Sequence, residues 1–142
     1  MLAAALAFVA AGVGAAYAEG FDPIASRQAG QDLLAGDFSG INAVVKANGS
    51  AKTLEKPAAA LARWMHQFPT LFPPGSDKGD NTKAKPEIWS DPAGFNKAAD
   101  DFVAQANKLV MLAKADDAAS MPAQVKAVGA ACVACHKKFK TQ

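Results

Sequence analysis

Near the C-terminus the run "GAACVACHKKFKTQ" carries Cys132, Cys135 and His136, the only cysteines of the chain and one of its two histidines. Two thiols three residues apart share one face of a helix, and the imidazole that follows projects beside them. Cys-x-x-Cys-His is the attachment pattern of a c-type haem. Each thiol adds to a vinyl group of the porphyrin, and the adjacent histidine becomes an axial ligand of the iron. Other uses of the same groups fit less well. A dithiol redox pair belongs where a strand enters a helix, and no convincing run of alternating β-branched residues supplies a strand. A structural zinc would need His66 as its fourth ligand and would have Cys135 and His136 crowd one helix. A disulfide between positions three apart in a continuous helix is strained. A haem-free thiol protein is the remote alternative.

The motif needs elements to position it, and beyond residue 20 the periodicity is helical almost throughout. Inward positions of a first segment step by three and four through Ile24, Arg27, Gln31, Leu34, Phe38, Ile41 and Val45, two of them polar. After the turn "KANGSAK" a second stripe follows, Leu54, Ala58, Leu61, Met65 and Phe68, which Pro69 ends or kinks. The stretch "PTLFPPGSDKGDNTKAKPEIWSD" reads as one long irregular connection. A third helix opens at Ser90 or Asp91 with Pro92 in its first turn, and carries Phe95, Ala99, Phe102, Ala106, Leu109 and Ala113. The last, with Ser120 as its cap, places Val125, Val128, Cys132, Cys135 and Phe139 in the buried seam. The pattern predicts an all-α antiparallel four-helix bundle with helices of roughly 17 to 25 residues.

Composition sets the bounds. Of 142 residues 51% are hydrophobic and 20% charged, and the formal net charge is +2, which suits one globular domain and lacks the basic footprint of a nucleic-acid binder. The opening "MLAAALAFVAAGVGAAYA" is uncharged and closes on Ala16-Tyr17-Ala18, the small-x-small pattern of signal cleavage. Residues 1–18 are therefore expected to be a signal peptide cut after Ala18, leaving 19–142 as a periplasmic domain without stable membrane insertion. An Ala/Gly-rich segment is weakly apolar and barely long enough to serve as an anchor.

At this point the chain resembles a known family. "CVACHKKFK" at the end of a four-helix pattern, with "SRQAG" in the first helix and "PEIWSD" before the third, is similar to the class II c-type cytochromes, the cytochrome c′ and cytochrome c-556 group. The resemblance implies a single covalent haem c on Cys132 and Cys135, with His136 as the proximal ligand of the iron. It also implies Lys140 at the basic position one turn on, and Trp89 and Phe95 packed near the haem edge. In that family the residue four after the first-helix arginine faces the open side of the iron. Here the arginine is Arg27 and the residue is Gln31, where low-spin members carry methionine. A glutamine amide is a weak ligand and a capable hydrogen-bond donor. Met65 and His66 are the other groups able to replace it.

The resemblance implies a monohaem electron carrier that serves redox partner proteins and is not an enzyme in the turnover sense. The alternative is a five-coordinate protein that binds diatomic gases such as NO and CO at an open site beside Gln31. Family members are often homodimers, so a second copy is a further expected partner. Lys137, Lys138 and Lys140 are placed to steer an acidic redox partner.

Overall fold

The computed structural model describes residues 20–141, so the expected signal peptide and its cleavage point lie outside the described residues. Helix α1 (Pro23–Lys46) begins where the Asp22 carboxylate accepts from the amides of Ile24 and Ala25 at 2.8 and 3.0 Å, with Pro23 in the first turn. It closes in a reciprocal turn. The Asn48 amide donates to Val45 O and the Gly49 amide to Val44 O, while Asn48 takes the left-handed conformation at φ 53° that such a stop needs. A 3-10 turn, Ala51–Leu54, leads into α2 (Glu55–Gln67).

At 13 residues α2 is shorter than the expected range. Pro69 has no amide hydrogen to continue the ladder, and the chain tightens from Phe68 into a second 3-10 turn, Phe68–Leu71. The long connection is less irregular than its composition implies, because it ends in a single helical turn, α3 (Glu87–Ser90). Helix α4 (Pro92–Lys114) is capped by Asp91, which accepts from the Gly94 amide at 2.9 Å. It stops in the same reciprocal turn as α1, now with Asp116 at φ 53°. The carboxylate of Asp116 also accepts from the Lys52 amide at 3.0 Å, which ties the two turns at that end of the bundle together.

Helix α5 (Met121–Phe139) departs from expectation at its start. The Ser120 side chain makes no capping bond there; instead the Ser120 amide donates to the Asp117 carboxylate at 3.1 Å, so the acid of the preceding turn does the local work.

The helices pack in chain order, α1 on α2, α2 on α4 and α4 on α5, and the ring closes where α5 meets α1, which gives an antiparallel four-helix bundle with two short turns, one long connection and α3 as an added turn. All six predicted inward residues of α4 are buried, with Ala106, Leu109 and Ala113 at 0% exposure. The α1 stripe is less uniform: Ile24, Arg27, Leu34 and Ile41 are buried, whereas Gln31, Phe38 and Val45 are half-buried. Cys132 and Cys135 are likewise half-buried, not sealed in the seam, because this stretch of α5 faces a cavity. Among the described residues no helix is long and apolar enough to cross a membrane.

One contact explains how closely α1 and α2 approach. The space where a Cβ on Gly30 would sit is filled by the Trp64 ring, whose buried indole N–H has no hydrogen-bond partner among the described residues. Gly30→Ala must push that ring aside, at a cost of about 1–3 kcal/mol. A thermal melt should show a fall in Tm of several degrees, and an unchanged Tm would mean that the ring relocates freely.

Candidate functional site

Helices α1 and α5 line opposite sides of a cavity of about 1160 Å³, slightly above the usual range of small-molecule sites. Cys132, Cys135, His136 and Phe139 line it from α5; Arg27, Gln31, Leu34 and Phe38 line it from α1. Its floor is aromatic. Phe72 meets Phe95 and Phe68 edge-to-face, with ring centroids 4.8 and 5.0 Å apart, and Phe95 meets Phe139 at 5.2 Å. Phe68, Phe102 and Phe139 lay in the predicted helical stripes without being assigned to a site. Phe72 and Ile88, from the connection, carried no periodic signal at all.

The thiols and the imidazole meet a consistent electrostatic environment. Burial pushes the Cys135 thiol up to about 11, with Cys132 adding to the effect, and burial raises Cys132 as well. Both are free thiols and stay protonated and neutral against an apolar wall. Burial first, then the charge of Lys140, pulls His136 below the ordinary histidine value. A neutral imidazole is the form that can ligate a metal.

Arg27 is the buried charge of the site, at 4% exposure. Its guanidinium donates to Ser76 O at 2.6 Å, Thr82 Oγ1 at 2.7 Å, Ser76 Oγ at 3.0 Å and Leu71 O at 3.3 Å, and lies 4.5 Å over the Phe72 ring. Burial lowers its pKa while Asp22 pushes it back, and it remains charged. These neutral acceptors fasten the connection over the aromatic floor. Sequence reasoning found Arg27 but not Ser76 or Thr82, since a loop residue's partners leave no mark in its spacing.

The remaining candidates divide. Gln31 is half-buried on the α1 wall and its amide makes no hydrogen bond among the described residues. Met65 is buried and faces the same cavity; His66 is exposed and does not line it, so the four groups of the zinc alternative are not brought together. Phe95 lines the cavity. Trp89 stands behind the wall, its ring against Phe72 and its indole N–H donating to Phe72 O at 3.1 Å and Pro73 O at 3.2 Å. Lys140 lines the rim beside His136.

A flat, mainly apolar macrocycle tethered through two thiols fits this set. The thiols share one helix face, a neutral imidazole follows them, the walls are aliphatic and aromatic, and an unpaired amide faces the space from the other helix.

The family profile described as Cytochrome C' matches residues 22–140. Cytochrome c' of Rubrivivax gelatinosus is 44% identical over 123 residues, covering 84% of this chain and 94% of that protein. The crystal structure of cytochrome c' from Rubrivivax gelatinosus superposes with a TM-score of 0.76 at 39% identity, over 84% of this chain and 95% of that one. A nitric oxide complex of a mutant cytochrome c prime from Alcaligenes xylosoxidans superposes with a TM-score of 0.76 at 31% identity, over 85% and 94% of the two chains.

Proposed function

The chain belongs to the cytochrome c′ family and carries one covalently attached haem c, and from this we propose that it is a periplasmic one-electron carrier and not an enzyme. Bound in the cavity, the haem supplies an iron that cycles between ferric and ferrous states. The residues of the chain do the rest. Cys132 and Cys135 hold the group by two thioethers, and His136 presents its neutral imidazole from the next position on α5. The aromatic floor excludes water, and Arg27 locks the connection that forms part of that floor. Such an environment resists reorganisation when the charge on the group changes. The observation that carries the reading is the placement of both thiols and the imidazole on one cavity wall whose rim, at His136 and Lys140, is exposed. A group held there has an edge within reach of a partner.

A second reading has its own support, the unpartnered Gln31 amide on the opposite wall. An open site there would accept diatomic gases, and nitric oxide complexes are known for the similar cytochrome c prime named above. Visible spectra of the oxidised and reduced protein, with and without carbon monoxide, separate the two. An electron carrier with a filled sixth position gives the same ferrous spectrum with and without the gas, whereas an open site changes at once. The periplasmic assignment predicts that the exported protein begins at Glu19. N-terminal sequencing that finds Met1 retained would argue for an anchor instead.

A further inference from the structure

Lys85 and Lys137 are 52 positions apart in the chain, yet the Lys85 ammonium donates to Lys137 O at 3.1 Å. An isolated antiparallel bridge between Ala84 and Lys140 brings them together. Lys85 N donates to Phe139 O at 3.0 Å and Thr141 N to Lys83 O at 2.8 Å. The bridge sets Lys83 beside Lys140 on the rim of the cavity, and Lys126 lines that rim from an earlier turn of α5. Lys83, Lys126, Lys137 and Lys140 are exposed and enter no salt bridge among the described residues. Lys138 differs, because Asp91 neutralises it at 2.6 Å. Asp32 is the rim's carboxylate, on the α1 side.

We propose that this lysine rim is the docking face for an acidic redox protein, one that surrounds its own redox centre with aspartate and glutamate. The proposal rests on the reading that the cavity holds the haem. Charge complementarity selects the partner. Unpaired ammonium groups around an apolar opening attract an oppositely charged surface and repel a basic one, and they raise the encounter rate more than the final affinity. The exchange is a single electron: what the partner's centre loses the haem gains, or the reverse, with no atom or proton transferred.

Two triple variants of equal net charge test the idea on the haem-loaded protein. One replaces the rim, Lys83→Gln, Lys126→Gln and Lys140→Gln; the other replaces exposed lysines towards the opposite end, Lys46→Gln, Lys52→Gln and Lys108→Gln. On a carboxylate cation-exchange column the rim variant should elute at clearly lower salt than the distant one. Oxidation of the reduced wild-type protein by hexacyanoferrate(III), an anion, should slow by about tenfold from low to high ionic strength. Only the rim variant should flatten that dependence. A cationic oxidant, tris(phenanthroline)cobalt(III), should show the opposite trend with salt. Co-elution of the two variants with equal salt dependence would overturn the docking face while leaving the haem reading intact. A wild-type preparation with no covalent haem, seen by staining before any salt is varied, would overturn both.

Discussion

Replacing both Cys132 and Cys135 by serine is expected to abolish covalent haem. On denaturing electrophoresis the double variant should show no haem stain, while either single variant should retain the group through its remaining thioether at reduced yield. A hydroxyl cannot take over the thiol's addition to a vinyl group, and His136 alone holds the macrocycle only through a reversible bond. Stability should fall as well. The cavity of about 1160 Å³ is walled by Leu34, Phe72, Phe95 and Phe102, which lose contacts when it empties. A thioether-bound group stays on the chain when it unfolds, so what the variant loses is the native packing of these walls on the macrocycle and the bond from His136. The double variant should therefore also melt well below the wild type. Undiminished staining would mean that the attachment lies elsewhere, and with it the assignment of the α5 wall would fail.

The second large effect is expected on the α1 wall. If Gln31 faces the iron without binding it firmly, the ferrous protein takes up carbon monoxide readily, and Gln31→Met turns it towards a low-spin, six-coordinate form. A thioether is a far better ligand for ferrous haem than a neutral amide. A methionine at this position would leave α1 from the same face, four residues beyond Arg27. If the methionine-bound form outweighs the open form by about ten to one, the apparent carbon monoxide affinity falls by about tenfold. Gln31→Leu should instead leave the site open and speed loss of the gas, since a polar ligand then lacks its hydrogen-bond donor. A wild-type ferrous protein that is already low-spin and indifferent to carbon monoxide would overturn the open-site idea. Met65, buried on the cavity lining, would then be the ligand to replace, and not the exposed His66.

What the sequence determined by itself was local and periodic. The α4 stripe could be read without coordinates because residues three and four apart on a helix share a face, and all six of its members are buried. Arg27 and Gln31 stood out as polar residues within an apolar stripe, and the structure places both on the cavity. The cysteine motif identified its own chemistry because three adjacent groups suffice for it. Only the tertiary structure decided the rest. The length of α2, the Asp117 contact that takes the place of a Ser120 cap, and the cavity between α1 and α5 depend on which helix packs against which. The partners of Arg27 in the connection, the seat of Trp64 over Gly30 and the meeting of Lys83 and Lys85 with residues 137–141 are contacts between distant segments. Spacing along a chain encodes which faces are apolar. It does not encode which loop closes over a given charge, because that choice is made by the packing of the whole bundle.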